Sequence, residues 1–253
     1  MVAPVPRSVA AQAAVLALTL AAGVARVFTS SPDTASLRDL GTVVRAAHAA
    51  STMRVVFVVN ARTGGVPSTL TGNGAVDFAH GTSSFAIRGD AGKESTVISD
   101  GTTTWTRLPP DMLATYGGKH WVASPAGGGQ LHPENTLDAL ASLTGLTARA
   151  DGHATVGGFR TIRYTARTAL RDVAARLRDW PGALFAAGTG ILGDGTATFG
   201  IYVDGSGLPR RLDIAMRLRS WTEDIRFDYY DYGRPVGVAP PPASDVAAAK
   251  TPP

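Results

Sequence analysis

A period of two begins at Ser51. Met53, Val55, Phe57 and Val59 fall on one side of an extended chain, and Arg54, Val56, Val58 and Asn60 on the other. A second run sets Leu70, Gly72, Gly74, Val76 and Phe78 against Thr69, Thr71, Asn73, Ala75 and Asp77, with glycines where a strand bulges or curves. Phe85 and Ile87 follow, then residues 96–98, and Asp100-Gly101 turns the chain into 102–107. The spacing predicts a meander of about five strands. Pro109-Pro110 ends it, and 111–129 reads as irregular, anchored by Tyr116 and Trp121.

Alternation returns later in the chain. Residues 154–156 and 159–167 flank Gly157-Gly158, a hairpin turn. Phe199, Ile201 and Val203 then share one face, as do Leu212, Ile214, Met216 and Leu218, and finally Ile225, Phe227 and Tyr229. The turn at Asp204-Gly-Ser-Gly207 makes the first two of these rows neighbours. Helical spacing appears in three places. Leu37, Leu40, Val44 and Ala47 form one stripe, capped by Ser36 or Thr34; Pro133–Leu143 is short; Ala169–Trp180 has an apolar stripe ending at Pro181-Gly182. Strands with one apolar and one polar face form a single antiparallel sheet covered on one side. About nine strands in one sheet must curl. The expected class is α+β: a curved antiparallel half-barrel with helices covering the concave face.

Composition narrows the partners. The 253 residues carry 24 Lys+Arg against 20 Asp+Glu, and only Lys93, Lys119 and Lys250 are lysines. The charged fraction of 17% is too low for a disordered or nucleic-acid-coating chain. With no cysteine, disulfides, thiolate metal sites, cysteine nucleophiles and a lipidated N-terminal cysteine are excluded. Arg7, the uncharged run Ser8–Ala25 and its Gly-Val-Ala ending have the form of a signal peptide or an N-terminal membrane anchor over residues 1–26. Either one exports the rest, to the medium or to the outer face of the cytoplasmic membrane. Residues 35–238 then form one domain. Residues 239–253, rich in Pro and Ala, read as a disordered tail.

Few motifs carry chemistry. Gly188-Thr-Gly-Ile-Leu-Gly193 matches the dinucleotide string, but it follows a helix and precedes a strand, the reverse of what that fold needs. His120 and His132 could meet, yet no histidine pair has the spacing of metal ligands. The acidic pairs Glu223-Asp224 and Asp228/Asp231 read as strand-edge polarity and turn chemistry. Arg210, Arg211, Arg217 and Arg219 make a basic cluster, on a solvated strand face or against anionic lipid headgroups. No nucleophile, base and acid converge, so no enzyme, metal or cofactor is expected.

Three strings carry a resemblance: Tyr202-Val-Asp-Gly-Ser-Gly-Leu-Pro-Arg-Arg211, the stretch from Tyr230 to Val246, and Val156-Gly-Gly-Phe-Arg-Thr-Ile-Arg-Tyr-Thr-Ala166. With them the chain resembles the LppX/LprAFG lipoprotein family of actinobacteria, itself LolA-like, over roughly residues 35–246. It departs from that family in lacking the lipobox cysteine. The resemblance implies a non-enzymatic carrier that takes an acylated lipid or other apolar ligand between sheet and helices. The lining residues would be Met53, Val55, Phe57, Phe85, Ile87, Phe199, Ile201, Met216 and Leu218. The alternative is an envelope regulatory domain, similar to RseB, that binds a partner protein.

Overall fold

The computed structural model describes residues 41–90, 92, 94–125, 148–172, 195–218 and 221–248. One helix, α1 (Gly41–Ala49), precedes β1 (Thr52–Thr63), β2 (Val66–Asp77), β3 (Thr82–Gly89), β4 (Glu94–Ser99), β5 (Thr103–Arg107) and β6 (Trp121–Pro125). A second series comprises β7 (Arg149–Val156), β8 (Phe159–Ala169), β9 (Thr196–Asp204), β10 (Pro209–Arg217) and β11 (Trp221–Tyr230), with β12 (Val246–Ala248) beyond it. Short 3₁₀ turns lie at Pro110–Tyr116 and Ala243–Asp245. The described residues are thus mostly β. The expected helix at Pro133–Leu143 lies outside them, as does the helix at Ala169–Trp180 beyond its first turn.

All the described strands join one 12-stranded sheet in the order β12-β6-β5-β4-β3-β2-β1-β11-β10-β9-β8-β7. Two meanders, β1–β6 and β7–β11, meet where β1 pairs antiparallel with β11, Phe57 opposite Phe227. Every pairing is antiparallel except that of β12 with β6. The sequence, read as about nine strands, accounts for ten of these, β1–β5 and β7–β11; the other two, β6 and β12, lack the alternation that marks the rest. Residues 121–125 are all half-buried or exposed and show no two-fold pattern. Val-Ala-Ala follows a proline run. The segment past Val238, expected to be a disordered tail, instead turns at Ala243–Asp245 and supplies an edge strand. His120 Nδ1 and Asp245 Oδ1 lie 2.8 Å apart and pin it there.

Alternation in the other strands places one buried row on a common face. Met53, Val55, Phe57 and Val59 of β1 lie beside Tyr229, Phe227 and Ile225 of β11, then Leu212 and Ile214 of β10, then Ile201 and Phe199 of β9. Val43 and Ala47, one turn apart on α1, are fully buried, and Val43 belongs to the same core.

β2 crosses this face with glycine at positions 72 and 74, opposite Phe57 and Val55. A Cβ at Gly72 would overlap the Phe57 ring and the Ala86 carbonyl; one at Gly74 would overlap the Phe85 ring and the Ser84 carbonyl. Both rings therefore lie down across β2, their centroids 6.4 Å apart.

Candidate functional site

The nine residues expected to line a pocket share the apolar face. Met53, Val55, Phe57, Phe85, Phe199, Ile201 and Met216 are buried within one hydrophobic cluster, with Ile87 and Leu218 half-buried against it. Register sets Ile201 beside Leu212 and Phe199 beside Ile214, so the two rows predicted to be neighbours do lie side by side.

The same face holds a residue that sequence reading missed. Glu223 stands opposite Ala61 of β1 and Met216 of β10, two positions from Ile225. It is fully buried. Among the described residues, neither carboxyl oxygen has a hydrogen-bond partner. Burial, with the Asp224 charge beside it, pushes its carboxyl from 4.5 up to about 8. The signal was available: the alternation Tyr229, Phe227, Ile225, carried back two residues, lands on Glu223. Grouping it with Asp224 as strand-edge polarity hid that. Asp224 does face solvent, where Arg217 pairs with it.

The opposite face is polar and internally paired. Arg226 Nε donates to Asp213 at 2.9 Å, and Arg211 Nε to Asp228 at 2.6 Å, each across neighbouring strands. Asp213 and Arg226 border an open groove of about 480 Å³ that also includes Arg163, Thr198 and Gly200. The basic cluster is accordingly not a patch of free cations. Arg211 and Arg217 each face a carboxylate, and Arg219 lies outside the described residues.

Arg210 sits elsewhere, nearly buried, with Nε 2.6 Å from Asp204 Oδ2 and its guanidinium 3.6 Å from the centroid of the Phe159 ring. Asp204 also accepts from the Ser206 and Leu208 amides at 2.8 and 3.1 Å. Burial pushes the Asp204 carboxyl up, but the hydrogen bonds from Ser206, Arg210 and Leu208 outweigh it and hold the group below its ordinary range. The string Asp204–Arg210 is thus a turn closed around one carboxylate. The hairpin of β7 and β8 turns at Gly157 and Gly158, with φ of 57° and 84°, a conformation that disfavours other residues.

Of the candidate histidines, His120 serves the β12 contact and His132 lies outside the described residues, as does Gly188–Gly193. Among the described residues no group of His, Asp and Glu is arranged to hold a metal ion, and no helix is long and apolar enough to cross a membrane. Residues 1–26, with the expected signal or anchor, lie outside them.

No protein-family model and no curated protein matches the sequence. Among solved structures the chain is similar to lipoprotein LppX of Mycobacterium tuberculosis, with 15% identity and a TM-score of 0.47 over 78% of this chain and 97% of that one. LprF of Mycobacterium bovis gives 14% identity and a TM-score of 0.45, over 89% and 96% of the two chains. The MucA/MucB complex of Pseudomonas aeruginosa gives 14% and 0.37, over 76% and 56%. At these scores the likenesses assign neither a family nor a function.

Proposed function

We propose that the protein is an exported, non-enzymatic binding protein that takes a lipid or other apolar ligand against the apolar face of its sheet. One observation carries this reading: the face runs unbroken from Phe85 on β3 through β1 and β11 to Phe199 on β9. Along it Phe57 and Phe85 are laid flat over Gly72 and Gly74 rather than standing upright. Flat rings give a low, wide apolar floor, the kind of surface that ligand sites use. A few convergent polar groups complete such sites, and Glu223 is one.

The test is titration of the folded protein with a fluorescent fatty-acid analogue, beside thermal melting of Met216→Trp. If Met216 borders ligand space, the indole occupies it: uptake falls strongly and the melting temperature little. No uptake by the wild type, with a variant destabilised by about 1–3 kcal/mol from overpacking, would show a filled core and overturn the proposal.

A second reading, a regulatory domain that binds a partner protein, is favoured by the β7 edge. That strand ends the sheet and is exposed from Arg149 to His153, and no other described strand pairs with its outer edge, which leaves it to a partner's strand. Exchange protection of the β7 amides on adding a partner would support it.

A further inference from the structure

We propose that Glu223 is the head-group site for an amphiphilic ligand, and that it selects a neutral hydrogen-bonding head, a hydroxyl or an ester carbonyl, over an anion or a bare hydrocarbon. The inference rests on the binding reading above and gives that ligand its polar end.

In register across the apolar face, Glu223 has Ala61 and Ser68 on one side and Met216, Ala197 and Thr168 on the other. Ile225 lies along β11 toward the centre of the sheet, and half-buried Trp221 and Leu218 lie toward the hairpin end. A carboxyl among such neighbours with both oxygens unpartnered is costly. A hydrophobic residue of similar size would be cheaper for folding alone. A bound polar group is the partner this position lacks.

The charges around it decide which group. On β11, Asp224 and Arg226 point to the opposite face and are paired there with Arg217 and Asp213. On β10, the Arg217 guanidinium donates to the Met216 and Glu223 carbonyls at 2.9 and 3.0 Å and not to the Glu223 side chain. On β1, Arg62 is turned away and bonded to the Gly65 carbonyl. Among the described residues, then, no cation reaches the carboxyl oxygens. The group is held neutral at pH 7, a carboxylic acid with one O–H to donate and one oxygen to accept. A hydroxyl satisfies both and an ester carbonyl the first. A carboxylate or phosphate would bury a negative charge where no cation among the described residues reaches the Glu223 carboxyl to balance it. An ammonium would require an ion pair in apolar surroundings, where desolvation opposes it.

The experiment uses twelve-carbon chains bearing one fluorophore at one end and, at the other, a hydroxyl, a methyl, a carboxylate or an amine. Binding to the wild-type protein at pH 7 should favour the alcohol over the methyl-ended chain by about tenfold, the worth of one buried hydrogen bond. Glu223→Gln, a neutral donor and acceptor of the same shape, should keep most of that preference, and Glu223→Leu should erase it while retaining the methyl-ended probe. Equal binding of the alcohol and methyl-ended probes by the wild type overturns the proposal without any variant. So does a preference for the amine that Glu223→Gln abolishes, which would mean a charged carboxylate site. Failure to bind any of the four overturns both this proposal and the binding function, whereas uptake without head-group preference overturns this one alone.

Discussion

Replacing Glu223 by glutamine should make the protein more stable, and by an amount that grows with pH. In the unfolded chain the carboxyl titrates near 4.5; in the fold, burial and the neighbouring Asp224 raise it to about 8. The folded state therefore holds a proton that the unfolded state releases between those values, and stability falls as pH rises through that window. The slope is about 1.4 kcal/mol per pH unit, so the penalty is about 1 kcal/mol at pH 5, about 3 at pH 7, and levels off near 5 above pH 8. Glutamine has no proton to lose and the same shape. Other titrating groups, including Asp204, are common to both proteins and cancel in the difference. Urea denaturation of wild type and variant at pH 5, 7 and 9 measures it directly. Parallel stability profiles would refute the reasoning, for they would mean that water or a counter-charge reaches the carboxyl and leaves its titration ordinary.

Three further outcomes are expected. Asp204→Ala strips the nearly buried Arg210 of its carboxylate and opens the turn to Leu208, and should cost about 3–5 kcal/mol in chemical denaturation. Gly72→Ala should cost about 1–3 kcal/mol, and Phe57→Leu in the same chain should restore only part of that, because the Ala86 carbonyl also obstructs the new methyl. His120→Ala should speed amide exchange in Val246–Ala248 while leaving β10 and β11 unchanged, since the His120–Asp245 contact holds only that edge.

How legible the fold was depended on alternation. Where a strand buries one face deeply, as β1, β9, β10 and β11 do, its two-fold pattern is sharp, and the rows Met53–Val59 and Phe199–Val203 were readable with their partners. Edge elements bury neither face well and have no such pattern to keep, which is why residues 121–125 and Val246–Ala248 escaped notice. Glycines 72 and 74 were read as curvature. Their use is steric, to admit two phenylalanine rings from neighbouring strands, and that depends on inter-strand register, which a single strand's sequence does not show. Glu223 was missed for a different reason. Charge was allowed to outweigh position, although its place in the β11 alternation was already visible.

The strand at Val246–Ala248 bears on how the molecule survives its own assembly. It seals the outer edge of β6, yet the contacts that seat it join residues 125 positions apart. At ordinary rates of synthesis, roughly 6–25 s separate the emergence of the two. During that interval the backbone of Trp121–Pro125 is a template for any passing extended chain. A protein shortened before Ala243 would carry this vulnerability permanently. Its defect would then show as concentration-dependent association through β6, with the ligand face itself intact.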